Sequence, residues 1–219
     1  MNAIYQQLEV EVEKHQVEDV VLALFHTILL HRSSGKFHYQ ADDSYHIKEL
    51  AFEDVTCSNL QLTYVRCQSR ELDRSLRSQV AGFVNKMGQA VVPTSGKVAL
   101  EFYEKKQKRW PLGGENSVAW EVWNVQLGVT QPSSERWSFR EALCSKVREC
   151  IWDILQAVHR HDYVPPNPTH LELGNVYETE YSDVQPYLFK VNYSVTPGQT
   201  TSNSVTSTVT KLLRDISTS

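Results

Sequence analysis

The chain has no apolar run long enough to cross a membrane. Its longest, Val20–Phe25, closes at His26, far short of the ~20 residues that a spanning helix needs. The opening Met1-Asn-Ala-Ile-Tyr-Gln-Gln-Leu-Glu-Val has no basic flank ahead of an apolar stretch, so no secretory signal is expected. Cysteine is scarce, and Cys57, Cys67, Cys144 and Cys150 form no CxxC pair. A chain of 219 residues with 41% hydrophobic content needs no covalent staples, so buried free thiols are expected. Excess positive charge is also missing. Lys and Arg number 22 against 26 Asp and Glu, a net charge of -4. That excludes nucleic-acid binding through a broad basic face. GxGxxG, the Walker loop, HExxH and GxSxG are all absent. His159 and His161 lie two apart at a helix end and share no face. No catalytic residue, cofactor or metal is therefore expected.

Periodicity supplies the elements. Leu8, Val10 and Val12 alternate with polar residues as a half-buried strand. Val17, Val20, Val21, Leu24, Phe25, Ile28 and Leu29 form one helical stripe that stops at Ser33-Ser34-Gly35. Phe37–Ile47 reads as an irregular strand pair, and Leu60, Leu62 and Tyr64 as a strand. Ser69 caps a second helix striped by Leu72, Leu76, Val80, Phe83 and Met87. Strands come next over Val98–Tyr103 and Trp120–Val129. Trp123, Val125, Leu127 and Val129 share one face of the second. Ser138-Phe-Arg-Glu141 reads as a capping box, with Trp137 as its hydrophobic staple. The helix it opens carries Leu143, Val147, Ile151, Ile154, Leu155 and Val158. Trp120, Trp123 and Trp152 read as core. Residues 164–184 are extended, Tyr187–Val195 is a strand, and Val205, Val209, Leu212, Leu213 and Ile216 suit a short C-terminal helix. Hairpin-style strands with three helices imply a single α+β domain over 1–219, with helices backing a mainly antiparallel sheet.

The stretch 105–116, Lys-Lys-Gln-Lys-Arg-Trp-Pro-Leu-Gly-Gly-Glu-Asn, is the most informative. It sets Arg109, Trp110, Pro111 and Leu112 in a loop between two strands, and loops run over the surface. Two readings remain open. The Trp tucks beneath its own hairpin, or it forms a binding finger. Trp is enriched at interface hot spots, and Pro111 fixes one backbone angle.

Several strings resemble the autophagy-related protein 101 family, whose members are HORMA-domain proteins. They are Leu29-Leu30-His31-Arg32-Ser33-Ser34-Gly35-Lys36-Phe37-His38-Tyr39, Glu71-Leu72-Asp73-Arg74, Leu100-Glu101-Phe102-Tyr103, Arg109-Trp110-Pro111 with Trp120-Glu121-Val122-Trp123, and Asp183-Val184-Gln185-Pro186-Tyr187-Leu188. They span nearly the whole chain in matching order. The resemblance implies a single HORMA domain in which a C-terminal segment, 164–219, packs across the sheet. It implies a cytoplasmic, non-catalytic scaffold that acts at the phagophore assembly site. Its expected partner is the HORMA domain of autophagy-related protein 13, within the autophagy-initiating kinase complex. Leu30, His31, Arg32, Phe37 and Asp54 fall where such proteins meet that partner. The family's finger pairs Trp with Phe and receives downstream autophagy factors. Here Leu112 replaces the Phe, which keeps the apolar character and loses the aromatic face. The alternatives are a HORMA peptide clamp outside autophagy and an enzyme of unrecognised class.

Overall fold

The computed structural model describes residues 3–40, 44–107, 115–132, 136–160 and 162–196. The elements are β1 (Ile4–Val12), a 3-10 turn (Lys14–Gln16), α1 (Val17–His31), β2 (Ser33–Ser34), β3 (Phe37–Tyr39), β4 (Tyr45–Ile47), β5 (Phe52–Thr56), β6 (Thr63–Cys67), α2 (Arg70–Gln89), β7 (Thr94–Gln107), β8 (Glu115–Val129), α3 (Arg136–Val158), a second 3-10 turn (His170–Glu172), α4 (Leu173–Val176), β9 (Gln185–Pro186) and β10 (Phe189–Thr196).

The main sheet has the order β1-β8-β7-β10. β7 pairs antiparallel with both β8 and β10, but β1 runs parallel to β8. One face carries Leu8, Val10 and Val12 of β1, Val98, Leu100 and Phe102 of β7, and Trp123, Val125, Leu127 and Val129 of β8, all buried. Period-two alternation places them there, where α2 and α3 pack on them and α1 joins the same core. α1 is buried at Val17 and at every residue from Val20 to Leu29. A helix apolar on all sides belongs in the interior, and this one packs against α2, α3 and β6.

α2 matches the sequence reading closely. Ser69 Oγ accepts the Leu72 amide at 3.2 Å, and Leu72, Leu76, Val80, Phe83 and Met87 are the buried stripe. Among the described residues there are also three two-stranded ladders, β2–β9, β3–β4 and β5–β6, and an isolated bridge between Tyr177 and Tyr187. All four cysteines are buried free thiols.

Five expectations change. Residues 164–184 are not extended throughout, since a 3-10 turn (His170–Glu172) and α4 (Leu173–Val176) form within them. α3 begins at Arg136, so Ser138 and Trp137 lie inside the helix rather than at its cap, and Trp137 is 66% exposed instead of stapled. Trp152 is not core. It faces outward at 61% exposure, because the buried stripe runs through Cys150, Ile154 and Val158. Leu60 and Leu62 are buried in the turn before β6 rather than on a strand. β5, which carries Asp54, is an additional strand. The C-terminal helix expected over 205–216 lies outside the described residues, as does His161.

Candidate interaction surfaces

The hairpin of β7 and β8 outgrows the sheet that holds it. β10 pairs with β7 only between Ser95 and Phe102, and β1 reaches β8 only between Glu121 and Val129. The β7–β8 ladder continues past both, from Tyr103↔Ala119 to Gln107↔Glu115. No further strand flanks this two-stranded ribbon among the described residues. The loop expected over 105–116 is correspondingly shorter, since Lys105–Gln107 and Glu115–Asn116 are strand. Arg109, Trp110, Pro111 and Leu112 lie outside the described residues, in the connection that the ribbon carries. Two hollows of about 300 and 710 Å³ lie between the ribbon and the 162–176 segment, with Glu104, Lys106, Pro165 and Pro166 common to both, and α4 of that segment packs against β7.

A bulge marks the base of the ribbon. The register shifts between Phe102, opposite Glu121, and Tyr103, opposite Ala119, leaving Trp120 as the extra residue. Bulges re-aim side chains, and here the consecutive Trp120 and Glu121 are both buried. The Trp120 ring packs at centroid distances of 5.5 Å from Phe102, 6.2 Å from Tyr163 and 5.1 Å from Tyr187.

Glu121 is fully buried, and Arg32, 1% exposed, holds it with two hydrogen bonds. Arg32 Nε donates to Oε2 at 2.7 Å and Nη2 to Oε1 at 2.9 Å. Arg32 Nη1 donates to the Val158 carbonyl at 3.2 Å, at the end of α3. The Tyr163 hydroxyl donates to Glu121 Oε1 at 2.7 Å. Burial and that hydrogen bond push the Tyr163 phenol up to about 12, so it remains a donor. The Arg32 carbonyl also accepts the Tyr187 amide at 3.0 Å. One arginine therefore ties the end of α1 to the base of the ribbon, the end of α3 and the C-terminal segment.

The expected partner-contact residues are divided by this arrangement. Leu30 is half-buried and His31 exposed at the end of α1, and Asp54 is exposed on β5. Arg32 points inward, so its side chain is withdrawn from any surface. Phe37 is buried too, within a small cluster with Val176 and Tyr177, 5.2 Å from the Tyr45 and Tyr177 rings. A charge placed at Phe37 would break that cluster rather than probe a contact. Gly35 leaves no room for a side chain, since a Cβ there would collide with the Lys48 carbonyl. Sequence reasoning overlooked Ile47 and Phe52, which are exposed on β4 and β5, the latter at 69%. The alternation of Phe52, Asp54 and Thr56 was the available signal. Glu121 was also legible, because a carboxylate next to the apolar Trp123–Val125–Leu127 run requires a cation once buried.

A second network couples α1 to α2. His26 is buried and stacks on Tyr64 at 6.0 Å. Its Nε2 lies 3.0 Å from Asp73 Oδ1. Burial lowers the His26 pKa despite Asp73, so the imidazole is neutral and donates. Asp73 also accepts Arg77 Nε at 3.1 Å and pairs with Arg66 Nη1. The His26 hydrogen bond first, with Arg66 and Arg77, holds its carboxyl down to about 2.

Both shifts have the same consequence for stability. The unfolded chain takes up a proton at His26 below the ordinary value of 6.5 while the folded chain resists, so stability falls as pH drops below 6.5. Asp73 adds a further loss as pH falls from 3.8 toward about 2. The expected slope from His26 is up to ~1.4 kcal/mol per pH unit. Urea unfolding at pH 7.5 and 5.5 measures this first loss, and a midpoint that does not move contradicts it.

The model for the family described as autophagy-related protein 101 matches residues 9–171 of the chain. The chain belongs to the autophagy-related protein 101 family. The Xenopus tropicalis autophagy-related protein 101 is 43% identical over 217 residues, covering 98% of each chain. The Homo sapiens protein of that name is 42% identical over the same share. The Arabidopsis thaliana member is 26% identical over 186 residues, which cover 74% of this chain and 80% of the relative. Family membership places the chain in autophagy. No helix among the described residues is long and apolar enough to cross a membrane.

Proposed function

We propose that this chain is a non-catalytic scaffold of autophagy initiation with a HORMA fold. It pairs with the HORMA domain of autophagy-related protein 13 in the autophagy-initiating kinase complex. At the phagophore assembly site in the cytoplasm it recruits downstream factors through Trp110, Pro111 and Leu112, flanked by Arg109. The observation that carries this reading is the β7–β8 ribbon, which extends past both flanking strands and carries the Trp-Pro-Leu connection at its end. A strand ribbon that no other strand joins beyond Tyr103 among the described residues is suited to presentation. The helix layer, and β10 of the C-terminal segment at the edge of the sheet beside β7 among the described residues, agree with a HORMA domain.

The partner face is formed by Leu30, His31 and Asp54, with Phe52 and Ile47 as its apolar content. Arg32 and Phe37 are buried and take no part in its exposed surface. His31 and Asp54 are exposed, so substitutions there separate binding from folding. The variant His31→Asp with Asp54→Lys is expected to keep the wild-type circular-dichroism spectrum and melting temperature. It is expected to elute apart from the autophagy-related protein 13 HORMA domain in size-exclusion chromatography. Co-elution of the variant with that domain would place the interface elsewhere.

A further inference from the structure

α3 carries two exposed tryptophans on one stripe. Trp137, Glu141, Ser145, Arg148 and Trp152 follow at spacings of four, four, three and four, so they line one face of the helix. All five are exposed, whereas Leu143, Val147, Cys150, Ile154 and Val158 are buried on the other side. The stripe runs ~22 Å along the helix axis. Large apolar rings left in water gain free energy when another surface covers them, and Trp is the residue most enriched at such contacts.

The order of the stripe is its own complement. Trp137 and Trp152 lie equally far from the point between Cys144 and Ser145, and so do Glu141 and Arg148. Two copies can set these faces together antiparallel, about a two-fold axis through that point. Each Glu141 then meets the partner's Arg148, and each Trp137 meets the partner's Trp152. A parallel arrangement would instead set Glu against Glu and Arg against Arg, which is repulsive. Within one helix Glu141 and Arg148 are seven positions apart, too far to pair with each other. Arg148 donates one N–H to the Gln61 carbonyl at 3.4 Å, and a guanidinium has five. Ser145, a small side chain, sits where the two axes cross and permits close approach. With about two-thirds of each indole free, the four indoles of a dimer bring ~400–650 Å², a third to a half of the ~1,200 Å² at which stable interfaces begin.

We propose that the chain self-associates through the exposed face of α3 as an antiparallel two-fold dimer. Glu141–Arg148 contacts fix its register, and Trp137 and Trp152 supply its apolar ends. This face shares no residue with the partner face proposed above, so a chain paired through α3 keeps Leu30, His31 and Asp54 in place.

Sedimentation velocity on the full chain alone tests this, independently of any other protein. The wild-type chain is expected to pass from monomer to dimer as its concentration rises through the micromolar range. Glu141→Arg and Arg148→Glu each set like charges against one another at both contacts, and each is expected to weaken the dimer at least about tenfold. Mixed one to one, the two variants are expected to dimerise again, because every contact between them then pairs Glu with Arg. Trp137→Ala with Trp152→Ala is expected to weaken the dimer at least about thirtyfold. All four positions are exposed, so the circular-dichroism spectra are expected to match wild type. A wild-type chain that stays monomeric would overturn the proposal and leave the face to a different protein. A dimer that either charge variant leaves intact would overturn it too, as would a mixture of the two that stays monomeric.

Discussion

Glu121→Gln is expected to cost about 3–5 kcal/mol of unfolding free energy, the range for removing one partner of a buried ion pair. Arg32 would then remain as an uncompensated cation at 1% exposure, with the His31, Val158 and Tyr163 oxygens as neutral acceptors. Arg32→Met is expected to cost a similar amount by leaving the Glu121 carboxylate unpaired. The double variant Arg32→Met with Glu121→Leu is expected to recover much of the loss, because two apolar groups carry no desolvation penalty. The two single effects are therefore strongly non-additive. Urea denaturation of the three variants measures all of this. A single-variant loss below about 1 kcal/mol would mean that the pair is exposed and screened. The pair joins the end of α1, which leads into the proposed partner face, to the bulge at the base of the ribbon. The single variants are accordingly expected to weaken partner binding along with stability.

Trp110→Ala with Leu112→Ala is expected to do the opposite, leaving the fold and removing a function. A core Trp costs about 3–5 kcal/mol when truncated. These two residues belong to the connection of a ribbon that no other described strand flanks, so the expected fall in melting temperature is only a few degrees. Binding to the partner HORMA domain is expected to persist. Retention of downstream autophagy factors is expected to fall at least about thirtyfold, the factor that corresponds to a hot spot of about 2 kcal/mol. A large drop in melting temperature would show that Trp110 is buried, and the recruiting role of the tip would be lost with it.

Local patterns revealed much of this architecture. Ser69 and the stripe from Leu72 to Met87 gave α2 almost residue for residue, because capping and amphipathicity are both local. The Trp123 face of β8 and the Leu8 face of β1 were legible for the same reason, although the parallel pairing of those strands was not. Trp152 was misread because a residue's type was allowed to outweigh its position: it sits two residues past Cys150 and off the buried stripe. Ser138 was misread because its capping-box spacing also occurs inside a helix. The Arg32–Glu121 pair spans 89 positions in the chain, and no local pattern assigns a partner across that separation. The bulge that buries Trp120 and Glu121 together depends on register between strands. Of the candidate site, the basic Trp-Pro-Leu stretch was visible in sequence, whereas the two-stranded ribbon on either side of it depends on where β1 and β10 stop.

The most direct test of the scaffold reading is calorimetric titration of the purified wild-type chain with the purified HORMA domain of autophagy-related protein 13. A saturable one-to-one complex formed below micromolar concentration is the predicted result, and no heat of binding at micromolar concentrations would contradict it.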